Sequence, residues 1–257
     1  MSDEVYAGAA SIQLIGLRDT PEVRPGDDLA RLVLESAATS GFGLRDGDIV
    51  VVTQKVVSKA EDRLVDLNTV EPSDLARRFA DRWKKDARYV EVVLRESMRI
   101  VRMDHGLIIS ETRHGFVCAN AGVDASNVAG ELACLLPLDP DASAAALRAE
   151  LMRRAGVELA VVISDSFGRP WRNGITNVAI GIAGLAPLAD YRGQPDDFGR
   201  VMQASVLAVA DELAAAAELV SGKISRCPFV IVRGYAYERR DGRAAELVMD
   251  AAMDMFR

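Results

Sequence analysis

Asp165 sits between two hydroxyl residues, Ser164 and Ser166, directly after the apolar, β-branched run Leu159 to Ile163. Arg169 and Arg172 follow around Gly168 and Pro170. A short run of this kind has the pattern of a buried strand rather than a helix, and it predicts a strand that stops at Ser164-Asp165-Ser166. A carboxylate at such a strand end can hold a hard cation, and arginines a turn further on can grip phosphate oxygens through paired N–H donors. The chemistry that needs both is that of a metal-bound polyphosphate. The same residues also spell a strand, a capped turn and a surface ion pair, and spacing alone leaves both readings open.

Two further stretches have suitable chemistry. In Ala119 to Asn127 (ANAGVDASN), small residues let the backbone approach a ligand closely. Asp124 and Asn127 would share a face if a helical turn starts here, as ligand and orienter for one cation; an Asx turn with a helix cap uses the same residues. In Thr53 to Lys59 (TQKVVSK), two lysines and two hydroxyls lie just past the apolar run Ile49 to Val52. That segment reads either as a phosphate contact or as a solvated strand end. Asp124 and Asp165 both fall at apparent strand ends, which α/β folds gather along one ligand-binding edge. Two carboxylates meeting there repel each other unless a divalent cation joins them.

The elements that must position these residues follow from periodicity and punctuation. Strands are predicted at Ile12 to Leu17, Ile49 to Val52 and Pro228 to Val232, with a meander over Met98 to Cys118. Helices are predicted from an Asp27 or Asp28 cap to Gly41, in two segments between Pro72 and Arg102, and from Ala142 to Ala155. An Ala-rich helix is expected from Val201 to Val220, closed by Gly222-Lys223, and the tail from Ala244 to Arg257 is expected to be helical. His105 and His114, the two histidines, fall in polar turns and are expected at the surface.

Composition bounds the function. The chain has 257 residues, 49% hydrophobic and 27% charged, with a net charge of −7; that is an ordinary globular make-up and disfavours non-specific nucleic-acid binding. Cys118, Cys134 and Cys227 have no metal-ligand spacing and suit reduced thiols in a core. The N-terminal residues lack a basic start and an apolar stretch, and no apolar run reaches membrane-spanning length, so a cytoplasmic protein with no membrane partner is expected. No Walker A or G-x-G-x-x-G sequence is present, which excludes a P-loop or Rossmann site. No repeat or linker divides the chain, so residues 1 to 257 read as a single unit, with two intertwined subdomains as the alternative.

Six ordered blocks carry a resemblance. QKVVSKAE (Gln54 to Glu61), CANAGVDASN (Cys118 to Asn127) and SDSFGRPWRNG (Ser164 to Gly174) are similar to blocks of the coenzyme F-420-0:L-glutamate ligase family. So are TPEVRPGDDL (Thr20 to Leu29), DYRGQPDDFGR (Asp190 to Arg200) and GKISRCPFVIVRG (Gly222 to Gly234). The resemblance implies a family-specific mixed α/β (α+β) fold, with mixed sheets and flanking helices, working as a homodimer. It implies a GTP-dependent ligase that adds L-glutamate to F-420-0 with two Mg²⁺ or Mn²⁺ ions, and K⁺ as a further candidate. By matching motif, Asp124, Asp165 and Ser166 would be metal ligands and Asn127 a nucleotide contact. The loop Thr20-Pro21-Glu22, the segment with Thr53, Gln54 and Lys59, and the Gly222-Lys223 turn would form the GTP site. Arg169 and Arg172 would clamp phosphate or carboxylate beside the catalytic aspartates. Two departures stand out. Lys223 occupies a position where some relatives have an acidic or amide metal ligand, and the chain is expected to lack the nitroreductase-like domain that some relatives carry behind the ligase. A metal-dependent phosphohydrolase, a ligase for another acid, and a non-catalytic nucleotide- or deazaflavin-binding paralogue remain as alternatives.

Overall fold

The computed structural model describes residues 10–125 and 130–254. Twelve strands and six α-helices alternate along those residues, in mixed sheets and without a closed barrel. The central sheet is built from β1 (Gln13–Leu17), β12 (Phe229–Arg233), β2 (Ile49–Thr53), β8 (Ala160–Arg169) and β9 (Arg172–Ala183), in that spatial order. β2 and β8 run parallel at its heart, and the other neighbours are antiparallel. The continuous apolar runs Ile49 to Val52 and Ala160 to Ile163 are buried on both faces, which is why they read as unbroken rather than alternating.

Helices α1 (Leu29–Thr39), α5 (Pro140–Ala155) and α6 (Val209–Ser221) enclose this sheet around one large core. Asp28 caps α1 through its side chain, one of the two caps the sequence offers, and Asp139 caps α5 in the same way, so that α5 starts two residues ahead of the expected Ala142. The edge strand β9 is closed off by carboxylates. Asp211 of α6 accepts from the Ala179 N–H at 2.8 Å, and Asp141 of α5 accepts from the Ile182 N–H at 2.9 Å. Gly181 lets α5 come this close, since a Cβ there would lie 2.4 Å from the Pro140 carbonyl oxygen.

A second, smaller core lies under α3 (Asp74–Trp83) and α4 (Ala87–Glu96), packed on the meander β4 (Ser97–Asp104), β5 (Leu107–Thr112) and β6 (Val117–Ala119). Ser73 caps α3, and Phe79, Val90 and Val93 fill this core. The pair β3 (Leu64–Asp66) and β7 (Leu132–Cys134) and a bridge between Asp124 and Cys134 tie it to the main sheet's connections.

The structure corrects several sequence expectations. Thr53 to Lys59 is not a strand end: Gln54–Ala60 form helix α2, because Gln54, Lys55, Lys59 and Ala60 favour helix and Gln54 hydrogen-bonds Ser58 one turn on. β8 does not stop at Ser164; only its pairing with β2 does, and the strand continues to Arg169 as a two-stranded ribbon with β9. Helix α6 starts at Val209 rather than Val201, since Val201 bridges Pro195 and the short strands β10 (Ala189–Asp190) and β11 (Val206–Leu207) pair first. Of the tail, Ala244–Leu247 form one 3-10 turn and turns follow to Asp254, so the expected helix is absent there. His105 is exposed as expected, but His114 is half-buried, with its ring stacked on Phe116 and Nε2 3.0 Å from the Pro137 carbonyl oxygen.

Candidate active site

The site forms where the pairing of β2 with β8 ends, at Thr53 and Ser164. Asp165 is the next residue of β8. As a residue it is half-buried, yet its carboxyl is surrounded by protein, and that burial pushes it up to about 6. The Ser166 N–H holds it down and the carboxylate of Asp124 pushes it up further, while the ammonium groups of Lys223 and Lys55 oppose that rise. The two aspartates, some forty positions apart in the chain, therefore share one electrostatic neighbourhood.

Asp124 is delivered there by a strained strap. Asn120, Ala121 and Gly122 adopt left-handed backbone conformations in succession, and two of the three are not glycine. Gly122 is required by close packing as well, since a Cβ would lie 2.7 Å from Leu136 Cγ. The Asn120 side chain accepts from the Ile108 N–H, and Asp124 then exchanges backbone hydrogen bonds with Cys134 at 2.9 and 2.8 Å. Tyr89 donates to the Val123 carbonyl at 2.6 Å, and burial followed by the Asp124 charge lifts its phenol to about 12. Cys118 lies near Asp165, and burial lifts its thiol to about 12 as well, so it is an inert core thiol; all three cysteines are free and buried.

Helix α2 links this pair to the loop expected to hold nucleotide. Lys55 Nζ lies 2.6 Å from Asp124 Oδ2. One turn on, Lys59 is buried and pairs with Glu22. The Thr20-Pro21-Glu22 loop also meets the chain beyond α6, through the Thr20 N–H and the Arg226 carbonyl at 3.4 Å. Thr20 is buried, and Thr53 is tied to Pro228 by its N–H at 3.0 Å. Gln54 is buried too, with its amide donating to Leu135 O at 2.9 Å and to Ser58 Oγ at 2.5 Å. Gly222 closes α6 and turns the chain so that Lys223 contacts Ser166.

Most of the residues singled out in the sequence thus converge: Asp124, Asp165, Ser166 and Lys223 in one cluster, with Thr20, Pro21, Glu22, Thr53, Gln54, Lys59 and Gly222 on the adjoining loop, helix and turn. Asn127 lies outside the described residues. The arginines are not brought in. Arg169 and Arg172 flank the exposed tip of the ribbon, and Arg169 is spent on the Asn173 carbonyl at 3.0 Å. Four strand positions separate Arg169 from Asp165, about 13 Å of extended chain. Sequence reasoning named Lys55 only as one of the two lysines of Thr53 to Lys59, without its pairing to Asp124. It passed over Asn177 and Glu218, which gave no local signal.

The donor set suits a divalent ion of the hard type. Asp124 and Asp165 both offer carboxylate oxygens, with the Ser166 hydroxyl beside them, and the mutual repulsion of the two carboxylates is what such an ion would relieve. No group of three or more His, Cys, Asp or Glu side chains at metal-binding distances occurs among the described residues, so phosphate oxygens and water would complete the coordination. A cavity of about 310 Å³ lies elsewhere, between Arg113, His114, Phe116, Asp141 and Ala244. None of the carboxylate cluster lines it.

Fold and site together define a mixed α/β protein that gathers paired carboxylates and lysines beside the end of the β2–β8 pairing, in a chain without a Walker A or G-x-G-x-x-G sequence. Residues 17–234 match the family described as F420-0:Gamma-glutamyl ligase. A protein of Methanothermobacter thermautotrophicus called "Coenzyme F420:L-glutamate ligase" is 47% identical over 249 residues, covering 96% of this chain and 99% of that relative. Relatives with the same name from Methanopyrus kandleri and Methanocaldococcus jannaschii are 46% and 37% identical, over 92% and 96% of this chain and 94% and 97% of their own lengths. The chain belongs to the F420-0:gamma-glutamyl ligase family.

Proposed function

We propose that this protein is a ligase that joins L-glutamate to coenzyme F-420-0, using GTP and passing through an acyl phosphate. The observation that carries the reading is the meeting of Asp124 and Asp165 where the pairing of β2 with β8 ends, on a chain with family relatives over nearly its whole length. A carboxylate resists attack by an amine because oxide is a poor leaving group. Moving the γ-phosphoryl group of GTP onto a carboxylate oxygen breaks the bond to GDP and forms an acyl phosphate. The glutamate amine then attacks the carbonyl carbon, phosphate departs with the electron pair of the C–O bond, and the amine gives up a proton as the amide forms.

Charge dominates this transfer, so the protein works by position and electrostatics. Asp124 and Asp165 would hold Mg²⁺ or Mn²⁺, which would supply Lewis-acid neutralisation of the phosphate oxygens. Lys55 and Lys223 place two ammonium groups beside the same carboxylates. Lys59 and the Thr20 to Glu22 loop, one helical turn away, provide the nucleotide-facing surface. Four exposed apolar side chains, Trp171 on the ribbon tip, Phe198, Val201 and Ile224, support assembly with a second copy of the chain. No helix among the described residues is long and apolar enough to cross a membrane. We take the protein to work in the cytoplasm on small molecules, not nucleic acid.

The test is to incubate the protein with GTP, Mg²⁺, glutamate and F-420-0 and to follow the deazaflavin by mass spectrometry. A gain of one glutamyl unit with matching GDP is expected. GDP release without that gain points instead to a phosphohydrolase or a ligase for another acid, and tight binding without GDP to a non-catalytic paralogue.

A further inference from the structure

Four side chains close a hydrogen-bonded ring beside Asp165. Ser166 and Asn177 face each other across β8 and β9, and Ser166 Oγ donates to Asn177 Oδ1 at 2.7 Å. Asn177 Nδ2 donates to Glu218 Oε2 at 3.0 Å. Glu218 Oε1 pairs with Lys223 Nζ at 3.3 Å, and Lys223 returns the chain of contacts by donating to Ser166 Oγ. The ring fastens the ribbon to the end of α6.

Its construction points to the ammonium as the purpose. Glu218 sits in the last turn of α6, where the helix dipole disfavours a carboxylate, so a nearby cation is needed to hold it there. Gly222 has φ 62° and ψ 172°, a region open in practice only to glycine, and that turn sends Lys223 back toward the ribbon. The Ser166 hydroxyl gives its proton to Asn177 and accepts from Lys223. A metal ion bound to Ser166 would therefore share that hydroxyl with an ammonium, and the two like charges would repel each other.

We propose that Lys223 is a built-in cation: its ammonium takes the place of a second ion beside Ser166. The site then takes a single divalent ion, between Asp124 and Asp165, and needs no monovalent cation. This rests on the ligase reading above and deepens it, because Lys223 supplies as fixed charge what an added ion would otherwise bring to the phosphates.

Mn²⁺ alone, titrated into the protein and followed by the electron paramagnetic resonance of the free ion, tests the count. The wild type is expected to bind one ion per chain. Lys223→Gln removes the charge and offers an amide oxygen, and it is expected to take up a second ion. Lys223→Arg keeps the charge and is expected to stay at one. In the ligation assay the wild type should be indifferent to exchanging Na⁺ for K⁺, whereas Lys223→Gln should be slowed roughly 10²-fold in Na⁺ and recover in K⁺. Two ions per wild-type chain, a wild type that ligates only with K⁺, or a folded Lys223→Gln with unchanged stoichiometry would each overturn the proposal. If Lys223→Gln does not give a native circular dichroism spectrum, the two wild-type measurements still decide. A wild type that binds one Mn²⁺ and never ligates refutes the ligase reading instead.

Discussion

The two ends of the central sheet carry buried carboxylates with opposite fates. At one end, Asp48 precedes β2 and is 1% exposed, while Arg233 closes β12. Arg233 meets Asp48 with two parallel contacts, Nε at 2.8 Å and Nη2 at 2.7 Å, and the Arg45 N–H adds a third at 2.7 Å. Every need of that carboxylate is met inside the protein, in the bidentate geometry that arginine favours. At the other end of β2, Asp165 is surrounded by protein; among the described residues the Ser166 N–H and the ammonium groups of Lys223 and Lys55 favour its charge, and a second carboxylate pushes against it. A satisfied buried ion pair fixes the sheet. Two acids brought into one neighbourhood leave electrostatic work for a ligand to do, and strain collects beside Asp124 at Asn120 and Ala121 rather than beside Asp48.

Breaking the satisfied end should have the largest effect and should fall on stability. Arg233→Ala leaves Asp48 buried without its partner, and a loss of about 3–5 kcal/mol is expected in urea unfolding, with little change in turnover per folded molecule. A drop in turnover with unchanged stability would remove the contrast. At the other end, Asp165→Asn should cost at least about 10²-fold in ligation rate, read in the mass assay with fold checked by circular dichroism. Near-normal turnover in that variant would show that Asp165 holds nothing essential.

The smallest effect separates the two ends by pH. Asp165 has its carboxyl raised from 3.8 to about 6 in the folded protein, so the metal-free fold binds that proton more tightly than the unfolded chain does. Its contribution to stability is full below about pH 4 and is lost as pH rises through about 6. Metal-free protein should accordingly show a melting temperature with a component that falls by a few degrees across that window, and Asp165→Asn should lack it. Mg²⁺ should raise the melting temperature above pH 6 and have little effect near pH 4, where protons compete. A wild-type profile that matches that of the variant would mean that Asp165 is not the group under strain.

Much of the scaffold was legible because single residues carry it. Ile49 to Val52 and Leu159 to Ile163 can only be buried strands at those lengths, and Ser73, Asp28 and Asp139 announce their helices by capping them. The misreadings arose where tertiary contacts decide. Val56 and Val57 prolong the apolar run of β2 and hide the start of α2, while Val201 to Ala208 look helical by composition but are held by pairing across a loop. For the site, strand-end topology was enough to bring Asp124 and Asp165 together. It could not show that β8 runs on past Ser164, and that extension is what sets Arg169 and Arg172 at the exposed tip of the ribbon. Nor could it show Glu218 and Asn177 steering Lys223, since their ring closes between elements far apart in the chain.

The central claim is that Asp124 and Asp165 act as one unit around a shared ion, and a double-substitution cycle on Mn²⁺ affinity tests it most directly. Asp124→Asn, Asp165→Asn and the doubly substituted protein are titrated with Mn²⁺ under the same conditions as the wild type. Each single change is expected to abolish the same binding event, so that the second change adds almost nothing to the first. Independent, additive losses, or tight Mn²⁺ binding that survives both changes, would contradict the account.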